Sequence, residues 1–270
     1  MRYPTSLSVA LVLCALPAAA NAASCESYVG QTLAPQTFAA AVARVAALTA
    51  KGRAETAAEY ESRKAAALAS ASGPLVIAKD QEVQKYLAYD ADAQKLQIIE
   101  YAFHNKYFST KKAFAAAGYP GTSSEEGSDY KAVIEQTEKD VGSASAGNST
   151  GAKKLGKLQL TSKVIYERAA PSRDDDWVEH LFPAAVPKPH FVGALPMTLA
   201  EATALKPQLK LAFVVEPKAP FFVSGRLKYR ATPHLEEVDI TEDFQVLVAD
   251  FQCGLVLTDT GKVLGAYPTE

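Results

Sequence analysis

The densest group of chemistry-bearing residues in this 270-residue chain is Asp174-Asp175-Asp176, with Glu179 and His180 directly behind it. If a helix begins there, Asp176 and His180 fall four apart on one face. That spacing would offer two ligands to a metal, or set a base beside the acid that orients it. Three carboxylates in series are also what a helix N-terminus needs, because they satisfy its free N–H groups and complement its dipole. Trp177, Leu181 and Phe182 then form the buried face, and this capping reading is the favoured one. Asp176 and His180 stay as the polar-site candidates.

A second acidic group, Glu236, Glu237, Asp239, Glu242 and Asp243, leads into an apolar run at Phe244. It lacks the positional pattern and the glycine of a calcium-binding helix-loop-helix site, so solvated strand ends and turns account for it. None of His104, His180, His190 or His234 belongs to an HExxH helix, and the chain has no GxSxG elbow, Walker A loop or Rossmann glycine fingerprint. No metal and no cofactor is expected. A hydrolase whose site assembles from dispersed residues stays open, because triads converge in space and not in sequence.

Three cysteines occur. Arg2 forms a short positive start, residues 7–16 (LSVALVLCAL) an apolar stretch, and Ala20-Asn21-Ala22 the small-x-small pattern read by signal peptidase. The apolar stretch breaks at Pro17, short of the roughly 20 residues that a membrane-spanning helix needs. Residues 1–22 are thus expected to be a signal peptide, with the mature chain periplasmic or secreted and without a transmembrane segment. Cys14 leaves with the signal. Cys25 and Cys253 remain in a compartment that permits disulfides and are expected to pair as a structural bond. The competing reading makes Cys25 a lipid attachment site, since it follows a small residue soon after the apolar stretch. No CxxC spacing supports redox catalysis.

Lys and Arg total 28 against 30 Asp and Glu, a balance that gives no general pull on nucleic acid, which is excluded as the expected partner. The 48% apolar content is that of a folded globular chain.

Those residues must be positioned by two kinds of element. Residues 35–68 repeat Phe38, Val42, Val45 and Leu48 at helical spacing, with an interruption expected at Gly52 and a stop at Ser72-Gly73-Pro74. The stripes in residues 80–106 predict a second helical block, with Asp92 capping a restart, and residues 110–117 predict a third helix ended by Gly118. Residues 121–157 are rich in Gly, Ser and Thr and read as a linker or loop with one helical interval at 130–141; Asn148-Ser149-Thr150 meets the glycosylation sequon.

Beyond the linker the period changes to two: Leu158, Leu160, Ser162, Val164 and Tyr166 alternate with Lys157, Gln159, Thr161, Lys163 and Ile165. Further strands are expected at 210–215, 221–229, 237–240, 244–251, 254–257 and 262–267. A tight turn at 259–262 makes the last two a hairpin, and a brief helix is expected at 198–204. The fold class is therefore α+β: an N-terminal helical region (23–120), the linker (121–157), then a largely antiparallel β-sheet region (158–270).

Three function classes follow. The favoured one is an exported non-enzymatic protein that binds a protein or envelope partner through its helical half or a sheet edge. The alternatives are a small-ligand-binding module and the dispersed-site hydrolase. An unprotected strand edge or exposed apolar patch would favour the first, an enclosed apolar pocket the second, and a buried cluster around His180 or His234 the third.

Overall fold

A computed structural model of the chain describes residues 25–45, 48, 54–70, 73–79, 83–99, 102–103, 110–118, 130–146, 153–167, 191–229 and 238–268. Helices come first. The amphipathic stripe forms α1 (Phe38–Val45), which buries Phe38, Ala41 and Val45. After it, α2 (Ala57–Ser70) starts at a reciprocal cap: Thr56 Oγ1 accepts from the Glu59 N–H, and the Thr56 N–H donates to Glu59 at 2.8 Å.

The chain then turns to strands. β1 (Leu75–Lys79) alternates buried and half-buried residues, β2 (Leu87–Asp90) and β3 (Lys95–Ile99) form a hairpin, and α3 (Thr110–Ala116) is closed by Gly118 at φ 87°. Next come β4 (Tyr130–Ala146), β5 (Lys153–Glu167) and β6 (Phe191–Pro196). α4 (Leu199–Leu205) is capped by Thr198 and Glu201. Two 20-residue strands, β7 (Lys210–Tyr229) and β8 (Val238–Leu257), and the short β9 (Val263–Pro268) complete the fold. N-terminal helices followed by a largely antiparallel β region make this an α+β protein.

Two expectations of helix are corrected. Residues 80–106 hold no helical block among the described residues: a 3₁₀ turn at Gln84–Tyr86 leads into the β2–β3 hairpin, and Asp92 sits in its turn, where Asp90 Oδ1 accepts from the Ala93 N–H. Residues 130–141 are strand, so much of the Gly/Ser/Thr-rich stretch belongs to the β4–β5 pair, whose register runs from Tyr130↔Glu167 to Ala146↔Lys153.

The main sheet runs β1-β7-β8-β5-β4, with β9 also pairing β8. One pair departs from the antiparallel expectation: β5 lies parallel to β8 from Gly156↔Val238 to Tyr166↔Val248. Strand–helix alternation is not needed for that, because the long connection through β6, α4 and β7 returns the chain in the same direction. A separate three-stranded sheet, β2-β3-β6, carries buried Leu96 and Ile98 into the main core with Phe38, Ile77, Phe213 and Leu247.

The β7–β8 pair is the spine and has two halves. Its register breaks between Pro217 and Phe222, so residues 218–221 bulge out of the ladder. In the upper half, Leu211 to Val215 are all buried, since both faces are covered. Leu211, Phe213 and Val215 face the main core, whereas Ala212 and Val214 pack with Leu255 and Cys253 under an N-terminal strap bearing Cys25, Tyr28 and Leu33. The strap is stitched to the β8–β9 turn: the Leu33 N–H donates to the Gly261 carbonyl at 2.9 Å and the Val263 N–H to that of Gln31 at 2.8 Å. Gly261, at φ 86°, leaves no room for a β-carbon against the Leu33 carbonyl.

Cys25 and Cys253 are joined in a disulfide with Cα atoms 5.6 Å apart. The bond fastens the strap to the outer face of β8 across a sequence separation of 228 residues.

Candidate interaction surface

The lower half of the spine, residues 222–229 of β7 and 238–247 of β8, continues into β5 and β4. Its sequence alternates, because one face is covered by α3 through Ala113 and Phe114 while Ser224, Arg226 and Lys228 on the other are exposed. Successive strand residues point to opposite faces. Glu242 and Asp243 therefore serve two different polar clusters.

On the α3 side, Glu242 is only 6% exposed. Ser162 Oγ donates to its Oε1 at 2.5 Å, Tyr229 O–H to its Oε2 at 3.3 Å, and Gln136 Nε2 donates in turn to Ser162 Oγ at 3.1 Å. Four strands thus contribute to one hydrogen-bonded row. Leaving a carboxylate in this position without donors would be costly, so the row fixes the mutual register of β4, β5, β7 and β8. Glu242 was expected at a solvated strand end, and its burial corrects that reading. The signal was Ser162, a hydroxyl in the apolar phase of β5 that required a partner.

On the opposite face, the Arg226 guanidinium grips Asp243 through two hydrogen bonds, Nε to Oδ1 at 2.5 Å and Nη2 to Oδ2 at 2.9 Å. Gln159 Nε2 donates to Asp243 Oδ2 at 2.9 Å. The Arg226 hydrogen bond holds the Asp243 carboxyl below its ordinary range, with Gln159 adding to the effect. Beside them, Lys163 pairs with Glu135 at 2.5 Å.

β4 carries this belt to the border of the sheet. From residue 135 to 142 it pairs with β5 alone among the described strands, and residues 136–142 are exposed. Register irregularities between Val133 and Glu135 and between Asp140 and Gly142 bracket a regular run, residues 135–140. Such bulges limit indiscriminate edge pairing while leaving the run between them able to accept a strand. Val141, 52% exposed, stands at its end.

Two other places hold polar chemistry. Lys79 is buried at the end of β1; its Nζ donates to the Ala102 carbonyl at 2.8 Å and lies 4.6 Å from the centre of the Tyr86 ring. Burial, reinforced by Lys85, pushes its pKa down to about 7. At the upper end of the spine a cleft of about 310 Å³ opens beside the strap, lined by Leu33, Pro35, Leu211 and Leu257 with Lys210 and Asp259.

Asp176 and His180, the polar-site candidates of the sequence, lie outside the described residues, as do Asn148 and all four histidines. Among the described residues no three His, Cys, Asp or Glu side chains converge as a metal site, and no helix is long and apolar enough to cross a membrane. No family model, curated protein or solved structure matches the chain.

Proposed function

We propose that this chain is an exported, non-enzymatic protein-binding module that receives an extended segment of a protein partner on the outer edge of β4. The observation that carries the reading is the regular run at residues 135–140, which has β5 on one side and no described strand on the other. Strand addition draws affinity from main-chain hydrogen bonds and specificity from alternate side chains. Here the Gln136–Ser162–Glu242 row, buried at Ser162 and Glu242, and the Glu135–Lys163 pair support the receiving edge from both faces. Export is supported by the leader-like N-terminus and by the Cys25–Cys253 bond, which suits an oxidising compartment. The open cleft beside the strap, at the lower limit of the volumes that small-molecule sites use, supports a ligand-binding role less well.

The test is site-specific photo-crosslinking in cells that express the protein. A benzophenone side chain at Thr137 or Lys139 is expected to capture a defined polypeptide through a mapped extended segment, whereas the same group at Lys228 or Lys262 is not. Equal capture from all four positions, or none from β4, overturns the proposal.

A further inference from the structure

We propose that the strand received by β4 is β4 of a second copy of this chain, paired antiparallel about a two-fold axis at Thr137. This rests on the strand-addition reading above and names its partner. A two-fold axis that continues a sheet stands perpendicular to it and keeps each side chain on its own face, so residues directly opposite must be an even number apart. The axis then passes at a residue, and the sequence of the run (EQTEKD, residues 135–140) discriminates among the choices.

With the axis at Thr137, Glu135 of each copy stands opposite Lys139 of the other, Gln136 opposite Glu138, and Thr137 opposite itself. Opposite charges meet twice and like charges never do, and a threonine pair facing across strands is itself favourable. An axis at Glu138 sets that carboxylate against its own copy. An axis at Lys139 opposes two ammonium groups and also brings Glu138 against Asp140. An axis at Gln136 brings no opposite charges together. One register is therefore preferred on charge alone.

The structure adds two supports. Glu135, Thr137 and Lys139 alternate with Gln136 and Glu138, so the charged pair falls on the face where Lys163 already holds Glu135, and the row would read Lys163, Glu135, Lys139 across the junction. The irregularities that bracket the run confine pairing to a short stretch, and a two-fold contact consumes the edge in both copies, giving a closed dimer and not a fibre.

Sedimentation of the purified full-length exported chain across a wide concentration range tests this. The native protein is expected to dimerise, Lys139→Glu and Glu135→Lys each to weaken the dimer about tenfold or more, and an equimolar mixture of the two variants to restore it. Restoration matters because Glu135→Lys alone also breaks the Lys163 pair. Thr137→Cys, which places a thiol on the axis, is expected to form a covalent dimer on oxidation, while Lys228→Cys is not. A dimer indifferent to both charge reversals, a mixture that is not restored, or a monomer at every concentration without cross-linking overturns self-pairing. A monomer whose β4 still photo-crosslinks a different polypeptide overturns self-pairing and keeps the strand-addition reading; absence of capture from β4 in both experiments removes the two together.

Discussion

The two halves of the β7–β8 spine share the same strands and differ in what holds them. In the upper half Leu211 to Val215 are buried on both faces, one against the main core and one beneath the disulfide-bonded strap. Phe103 sits so closely on Gly254 that a β-carbon there would come within 2.5 Å of its ring, and Phe213 meets both Phe103 and Phe251 edge-on. The lower half has its own apolar cluster beneath α3 on one face, and directional polar contacts add to it: the buried Glu242 row on that face and the Arg226–Asp243–Gln159 group on the other. Two covered faces and a covalent tie resist opening, whereas a hydrogen-bonded sheet border can exchange one strand neighbour for another. The half with more polar contacts also carries the edge of β4 that has no described strand beside it.

Removing the covalent tie is the strongest way to probe that contrast. A Cys25→Ser, Cys253→Ser double variant is expected to lose on the order of 2–5 kcal/mol of stability, since the bond closes a loop of 228 residues' separation. Amide exchange should locate the damage. Protection is expected to fall in residues 30–37 and in β9, where few backbone hydrogen bonds remain to hold the strap, and to persist in β4 and β5. Equal loss of protection in both halves would show that the spine opens as a unit and would remove the distinction.

Lys79 tests the upper half by pH. Its pKa falls from an ordinary 10.5 to about 7 in the folded chain, so between those values the unfolded chain binds the extra proton. Stability attributable to this group therefore rises with pH across that window, by at most about 1.4 kcal/mol per unit, and the cost of burying the charge is fully present below pH 7. Lys79→Met is expected to flatten the rise. Thermal unfolding at pH 6 and pH 9 checks it: the variant should gain on the native protein at pH 6 relative to pH 9. A difference independent of pH would mean that the Lys79 contact to the Ala102 carbonyl, and not its charge, dominates.

Sequence periodicity revealed the two halves unequally. The continuous run at Leu211 to Val215, the alternation of β5, the turn before β9, the brief helix at 198–204 and the Cys25–Cys253 pairing are all legible, because each is written in local pattern or simple arithmetic. The β2–β3 hairpin was not. Its Ala, Gln and Lys residues favour helix locally, and Leu96 and Ile98 show their period of two only once the core lies beneath them. Residues 130–141 of β4 also look helical in sequence, since residues 136–142 bury nothing and so carry no alternation to detect. Its strand character comes from pairing with β5, a non-local fact. The lack of burial over residues 136–142 that hid this part of β4 in the sequence is also the feature on which the strand-addition proposal draws.

The smallest predicted effect falls in the lower half. Ser162→Ala deletes the donor to Glu242 Oε1 and leaves Tyr229 on the other oxygen and Gln136 without its acceptor. A loss of about 1–3 kcal/mol is expected, the range for stranding a buried acceptor. Chemical denaturation with unchanged slope would check the magnitude. Exchange should rise along β4 and β5 while the strap stays protected, the mirror image of the cysteine variant. If Ser162→Ala instead loosens residues 30–37, the polar row and the disulfide belong to one cooperative unit, and the outer edge of β4 is no more easily rearranged than the rest of the sheet.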